Sequence, residues 1–387
     1  MQYRPFGRLD WSVSALGFGC MRLPTTDAGA IDEPVATAMV HEAIDRGVNY
    51  FDTAWPYHGG ESERFLGRAL QGAYRHSAKV ATKLPSWAVR EPGDMDRYLN
   101  EQLARLQREH IDLYLLHNLH RDYWRQLVRL DVLSWLDRIV ADGRVGAVGF
   151  SFHAGFDVLQ EIIDAYDRWT LCQIQYIYVD EFYNAATRGL RYAASKGLAI
   201  AVMEPLLGGR LVDPPASVRA LWERASTKRS PVEWALQWVW DKPEVSVVLS
   251  GMSAPEQLRE NLACAERSAV GALTDKERAL MAEARDRYLA ICPTRCTGCK
   301  YCEPCPNGVA IAILMKTFNQ GIMGDDLEGA RRQYAHMVEG ERASACVACG
   351  ACEEHCPQGM PISEWMRYIH QVLGEGRDYR PAERPQS

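Results

Sequence analysis

Between about residue 10 and residue 265 the chain alternates eight short apolar runs with eight amphipathic segments, and this pattern leaves few folds open. The runs read as strands cover 13–19, 48–52, 80–83, 111–117, 145–151, 171–175, 198–204 and 245–250. Helical spacing is found over 33–46, 62–70, 94–109, 132–142, 155–166, 185–195, 231–241 and 255–264. Asn49, Gly143 and Gly197 punctuate helix-to-strand joints, as helix stop signals do. Strands this apolar read as buried on both faces, which is the habit of parallel strands. Eight strands alternating with eight helices predict an α/β fold, a (β/α)8 barrel of about 250 residues. The alternative is an open doubly wound sheet, but no G-x-G-x-x-G follows the first strand.

A second feature governs the C-terminal part. One run reads Cys296-x2-Cys299-x2-Cys302-x2-Cys305-Pro306, and another reads Cys346-x2-Cys349-x2-Cys352-x3-Cys356-Pro357. Two such runs, each closed by Cys-Pro, carry the ligand spacing of two [4Fe–4S] clusters. In the bacterial two-cluster pattern the fourth cysteine of each run serves the other run's cluster. Cys296, Cys299 and Cys302 are therefore paired with Cys356, and Cys346, Cys349 and Cys352 with Cys305. Zinc favours separated cysteine pairs, and disulfides poorly suit cysteines three apart in a reducing compartment. The first run departs from the pattern by having two residues before its last cysteine. Cys292, four residues upstream, is left as a spare or substitute ligand.

The 387 residues suit a large domain followed by a small one. The expected division is a barrel over 1–273, a bridging helix over 274–291, a mainly helical ferredoxin-like domain over 292–373 and a frayed tail over 374–387. With 47% hydrophobic and 24% charged residues, the chain has the profile of a soluble globular protein. A net charge of −6 without a basic block argues against nucleic acid as a partner. No stretch has the length of a membrane span, and MQYRPFGRLDWSVS lacks the layout of a signal peptide. The expected location is the cytoplasm, where cysteine stays reduced for cluster assembly.

Several predicted strands end in chemically capable residues: Asp52, Lys83 and His117, with Tyr57 in the loop after Asp52. Singly, each has an ordinary role as cap, solvated charge or core histidine. Together, at successive strand ends, they face one mouth of a barrel. Here the chain resembles the aldo-keto reductases. The resemblance is carried by NYFDTAWPYHGGESERFLGRAL (49–70), VATK (80–83), DLYLLH (112–117), VGFS (148–151), QIQY (173–176) and EPLLGGRL (204–211). It spans about residues 3–290, and the cysteine-rich tail is like that of a bacterial branch with a 4Fe–4S dicluster domain. The resemblance implies that Tyr57 protonates the substrate carbonyl oxygen, that Asp52 and Lys83 tune it, and that His117 orients the carbonyl. The chemistry is self-consistent, because hydride addition develops negative charge on that oxygen and a donor aimed at it stabilises the transition state. A free tyrosine titrates near 10, and a neighbouring ammonium favours its phenolate.

The resemblance also implies a nicotinamide coenzyme, NAD or NADP. Ser151 and Gln173 match residues that hold the carboxamide. The loop 206–211, with Leu206, Gly208 and Arg210, matches the one along the pyrophosphate, and Glu260 and Asn261 match residues around the adenine. Met203 replaces the aromatic that often stacks on the nicotinamide. Ser250 and Gln257 stand where strongly NADP-selective relatives carry Lys and Arg, and Arg259 is left as a compensating cation. Trp55, Trp87, Asn118 and His120 lie just beyond the four catalytic positions and are expected to border a small carbonyl or alcohol substrate, sugars included.

Nicotinamides pass two electrons as hydride, whereas a cubane passes one, and no flavin site is visible to join them. Three readings stay open at this point. The chain is a carbonyl reductase with a structural or docking cluster domain, an electron-transfer oxidoreductase with a redox partner protein, or a nucleotide-binding redox-sensing subunit.

Overall fold

The computed structural model describes residues 1–179, 181, 185–323 and 326–385. Ten strands are present among them. β1 (Tyr3–Pro5) and β2 (Ser12–Ser14) form an antiparallel hairpin. The other eight are β3 (Leu16–Gly19), β4 (Tyr50–Asp52), β5 (Lys79–Leu84), β6 (Ile111–Leu119), β7 (Val145–Phe152), β8 (Leu171–Gln175), β9 (Ala199–Met203) and β10 (Val247–Gly251). They close into a parallel barrel in the order β10-β3-β4-β5-β6-β7-β8-β9, so the predicted barrel is the observed fold. The run 13–19 divides at Ala15, since its first residues belong to the hairpin and the rest to the barrel.

Two compact units divide the chain. The first comprises Met1–Leu206 and Val232–Arg278, and the second comprises Leu207–Pro231 and Ala279–Ser387. The segment 207–231 thus groups with the cysteine-rich region, where a boundary drawn along the sequence had assigned it to the barrel.

Within the first unit, the barrel interior is filled by Tyr50, Ala81, Leu113, Leu115, Ala147, Leu171, Ala199, Ala201, Val247 and Leu249. Phe6 and Val13 of the hairpin region join this cluster, with Leu9 and Trp11 packed against it. Phe6 stacks on Trp11 at 4.6 Å and lies 5.7 Å from Tyr50, so the hairpin plugs the end of the barrel remote from the strand C-termini. Gly149 permits the close approach of β7 to β8, because a Cβ there would fall 2.5 Å from the Leu171 carbonyl oxygen.

The second unit is mainly helical, with helices Ile311–Met323, Leu327–His336 and Ile362–Ile369 around Leu314, Met315, Phe318, Trp365 and Met366. The tail is not frayed over its described length. Tyr368 donates to the Arg380 carbonyl at 2.8 Å, and Arg384 donates to the Cys292 carbonyl at 3.2 Å. Among the described residues no helix is long and apolar enough to cross a membrane.

Candidate active site and cysteine centres

Strand residues two apart share a face, so interior positions can be followed up each strand to the barrel mouth. Tyr50 leads to Asp52, Ala81 to Lys83, Leu115 to His117, Leu171 to Gln173 and Ala201 to Met203. The register agrees: Asp52 pairs with Ala81, and Lys83 pairs with Leu115. Each of these residues therefore caps a column of apolar interior residues, and three consecutive strands deliver Asp52, Lys83 and His117 to one place.

Lys83 Nζ donates to Asp52 Oδ1 at 2.7 Å and to the Thr53 carbonyl at 2.7 Å, with the lysine side chain fully buried. The same ammonium lies 5.2 Å from the centre of the Tyr57 ring. Tyr57 meets His117 edge to face at 6.1 Å, and Trp87 lies 5.1 Å from His117. The four residues proposed for the chemistry are thus one cluster. Burial raises the Asp52 carboxyl above its ordinary range, opposed by the attraction of Lys83. His117 is held well below the usual imidazole range by burial, Lys83 and His153, in that order. His117 is therefore a neutral imidazole at neutral pH, able to donate one hydrogen bond without competing for a proton.

Ser151 Oγ accepts from the Asn118 backbone N–H at 2.8 Å, where Asn118 adopts a left-handed φ of 56° at an irregularity of β6. Asn118 is buried, whereas Trp55, Trp87 and His120 are partly exposed. Arg105 lies 3.5 Å over the Trp55 ring, and His120 packs on Tyr123 at 3.9 Å. Gln173 lies beside Asp52, and its amide approaches Met203 Sδ at 3.7 Å. After β9, Glu204, Leu207, Gly208 and Gly209 all take positive φ. For Glu204 and Leu207, which are not glycine, this is strained backbone of the kind that clusters at ligand-binding turns.

Ser250 is out of phase with the interior columns and accepts from Asn261 Nδ2 at 2.9 Å. Gln257 turns back onto Ser253, accepting from its backbone N–H at 2.8 Å. Arg259 forms a two-pronged pair with Glu42, both contacts at 3.0 Å. Glu260 is half-buried on the same helix, Pro255–Glu266. Gly208 and Arg210 belong to the second unit. There the Arg210 guanidinium is directed at Thr294, Cys296 and Cys292.

Two residues at the strand ends escaped the sequence reading. His153 lies two residues past Ser151, and its Nδ1 is enclosed although the residue is partly exposed. Burial pushes it down to about 4. The period-two rule applied one step further would have found it. Arg22 follows β3 and sits against β10, since a Cβ on Gly251 would fall 3.1 Å from the Arg22 Cβ. No local sequence signal marks that contact.

In the second unit, the two cysteine runs share a backbone device. Gly298 and Lys300 flank Cys299 with φ of 70° and 65°, and Ala348 and Gly350 flank Cys349 with φ of 56° and 77°. Alternating left-handed residues gather backbone N–H groups into a concave nest suited to an anion such as an iron–sulfur cluster. One cavity is lined by Cys305, Cys346, Cys349 and Cys352, which is one cysteine of the first run with three of the second. The Cys302 thiol is pushed up to about 12 by burial, then by Cys296, Glu303 and Cys356. Cys356 is therefore a neighbour of the first run. Among the described residues no three or more of His, Cys, Asp and Glu converge tightly enough for a single metal ion. The donors are all thiols, four of them line one cavity, and Cys299 and Cys349 each lie between two left-handed residues, a setting that suits an iron–sulfur cluster. Cys292 stands apart from that cavity, held by Arg210 and by the Thr294 carbonyl, to which its thiol donates at 3.2 Å.

The parallel eight-stranded barrel carries a buried Lys–Asp pair, a tyrosine and a neutral histidine at its mouth, and its class is that of an oxidoreductase. Residues 15–285 match the model of the aldo/keto reductase family, and residues 295–360 match that of the 4Fe-4S dicluster domain. The chain belongs to the aldo/keto reductase family and carries a 4Fe–4S dicluster domain at its C-terminal end. It is 29% identical over 283 residues to the L-galactose dehydrogenase of Arabidopsis thaliana, covering 68% of this chain and 88% of that protein. It is 25% identical over 333 residues to the NADH-specific methylglyoxal reductase of Escherichia coli, covering 73% and 98%. Among solved structures, the holo form of the aldo-keto reductase AKR11C1 from Bacillus halodurans superposes with a TM-score of 0.63 at 26% identity. That match covers 73% of this chain and 96% of the other.

Proposed function

We propose that the barrel interconverts a small carbonyl compound and its alcohol by direct hydride exchange with a nicotinamide coenzyme, with Tyr57 as the general acid. The observation that carries this reading is the Lys83–Asp52 pair beneath Tyr57 and beside His117. The nicotinamide supplies or accepts the hydride. Lys83 favours negative charge on the Tyr57 phenol oxygen as its proton leaves. Asp52 holds Lys83 in place, and neutral His117 donates toward the substrate oxygen. Ser151 and Gln173 are assigned to the carboxamide, and Trp55, Trp87, Asn118 and His120 to the substrate border. Relatives named for a sugar and for methylglyoxal support a short, hydroxylated or dicarbonyl substrate. Cys296, Cys299, Cys302 and Cys356 are assigned to one [4Fe–4S] cluster, and Cys346, Cys349, Cys352 and Cys305 to a second.

The test is a panel of aldehydes, ketones, sugars and alcohols assayed anaerobically with NADH and with NADPH. Turnover of a panel member that needs the barrel's tyrosine supports the reading, and coenzyme binding without turnover of any panel member counts against it. A coenzyme prediction follows from the loop 250–261. Ser250 faces Asn261, Gln257 caps Ser253, and Arg259 is engaged by Glu42. A 2′-phosphate needs paired cationic donors to repay its desolvation. NADH and NADPH should therefore bind within roughly tenfold of each other, under about 1.4 kcal/mol. Ser250→Lys with Gln257→Arg should favour NADPH, by a margin that shrinks with added salt. Direct titration checks this. A wild-type preference for NADPH of several hundredfold would show that Arg259 releases Glu42, or that Arg22 supplies the missing charge.

A further inference from the structure

Arg210 lies just after the turn Leu207–Gly209, yet its guanidinium is turned into the cysteine-rich part of its own unit. Nη1 donates to the Thr294 carbonyl at 3.1 Å and to the Cys296 carbonyl at 2.7 Å. Nη2 meets Cys292 Sγ and approaches Met323 Sδ at 3.7 Å. The Arg210 carbonyl is met in turn by the Tyr288 hydroxyl at 3.5 Å. The segment it grips is itself ordered. Asn319 Oδ1 accepts from the Thr294 N–H at 3.1 Å, Asn319 Nδ2 donates to Thr294 Oγ1 at 2.8 Å, and Thr294 Oγ1 accepts from the Cys296 N–H at 3.3 Å. The first cysteine of the first run is thus fixed through its carbonyl by Arg210 and through its amide by Thr294.

Charge gives this arrangement its meaning. Every acceptor that Arg210 meets is a carbonyl or a sulfur, and among the described residues no carboxylate pairs with it. Arg210 is partly buried, and a guanidinium drawn partly out of water without a carboxylate partner favours a nearby negative charge. A cubane held by four thiolates is dianionic when oxidised and trianionic when reduced, so it supplies the missing negative charge. Other charges face the cluster region: Glu303 acts on Cys302, Glu353 acts on Cys352 and Cys356, and Arg384 reaches the Cys292 carbonyl. Arg210 is a cation anchored directly on the backbone of a first-run cysteine.

We propose that Arg210 is a positioning residue for the first cluster, anchoring the loop that begins at Cys296 and raising that cluster's reduction potential above the value it would otherwise have. This rests on the assignment of Cys296, Cys299, Cys302 and Cys356 to a cubane. Reduction adds one electron and therefore one negative charge, and a fixed neighbouring cation stabilises the more negative form. The proposal therefore predicts that the first cluster's potential depends on Arg210 and that the second cluster's does not.

The experiment is an anaerobic redox titration of the full chain, followed by electron paramagnetic resonance, with iron and sulfide counts on the same samples. Wild type, Arg210→Gln and Arg210→Lys are compared, and the signal of the first run is identified by its alteration in Cys299→Ser. Arg210→Gln should keep about eight irons. It should lower the first-run midpoint by about tenfold in the reduction equilibrium, or ~59 mV for one electron. The second midpoint should stay where it is, and Arg210→Lys should restore most of the shift. Loss of only the first cluster in the Gln variant, with retention in the Lys variant, also supports the assignment. Midpoints that do not move, or that move together, overturn it. So does loss of both clusters in both variants, which would make Arg210 a folding residue with no preference for the first site. A wild-type protein devoid of cubanes overturns the cluster assignment itself and is recognised before any potential is measured.

Discussion

Tyr57→Phe is expected to lower carbonyl reduction by about 10²–10⁴-fold, the usual contribution of a positioned general acid. Coenzyme binding should stay close to wild type. The substitution removes one hydroxyl and keeps the ring that packs edge to face on His117 and lies over Lys83. Folding should be undisturbed, so the loss should fall on the chemical step. Asp52→Asn and Lys83→Met should act in the same direction for a different reason, since each removes half of the buried pair at 2.7 Å. Lys83→Met leaves a carboxylate whose burial already opposes ionisation. Breaking such a pair from one side typically costs about 3–5 kcal/mol. That variant should therefore lose stability as well as activity, while Tyr57→Phe loses activity alone. Thermal unfolding beside turnover separates the two. A Tyr57→Phe enzyme with near wild-type turnover on a good substrate removes Tyr57 from the chemistry.

The second large effect concerns the cysteines. Protein purified or reconstituted without oxygen should hold about eight irons and eight sulfides per chain, as two cubanes require. Cys356→Ser should damage the cluster of the first run and spare that of its own run. The grounds are the neighbourhood of Cys356 with Cys302 and the cavity that joins Cys305 to Cys346, Cys349 and Cys352. Iron counts with electron paramagnetic resonance on Cys356→Ser and Cys305→Ser decide the pairing. Damage confined to the mutated run would reverse it, and stoichiometric tightly bound zinc without visible absorption would remove the clusters altogether.

Much of the barrel was legible because its signals are local. Each of the eight apolar runs contains a barrel strand, though the first also supplies part of the hairpin, and the period-two pleat carried Asp52, Lys83 and His117 to the mouth from columns readable as Tyr50, Ala81 and Leu115. The helices Arg121–Arg129 and Ala216–Arg224 were not foreseen. The first buries only Trp124 and Leu127, too few apolar positions to declare a face. What the sequence hid was long-range. The grouping of 207–231 with the cysteine-rich unit depends on contacts such as Arg210 to Cys296, 86 residues apart. The family resemblance set Arg210 along the pyrophosphate, and nothing near it in sequence indicated a cysteine loop as a partner. The tail, rich in Arg, Pro and Gly, had the composition of a frayed end. Yet Tyr379 packs 5.8 Å from Phe318, and Arg384 reaches back to Cys292. Eight cysteines in two runs, by contrast, were readable at once, because ligand spacing is a local property.

The most direct test of the central claim is the fate of the hydride. The enzyme is supplied with NADH, or NADPH if it binds better, deuterated on the transferred face at C4, together with the best carbonyl substrate of the panel in ordinary water. Direct transfer predicts one deuterium on the carbinol carbon of each product molecule, with no label passing to solvent, both in wild type and in protein whose clusters are held oxidised. Product lacking deuterium, or turnover that stops when the clusters cannot be reduced, would contradict direct hydride transfer at Tyr57 and place the electrons' path through the cysteine centres instead.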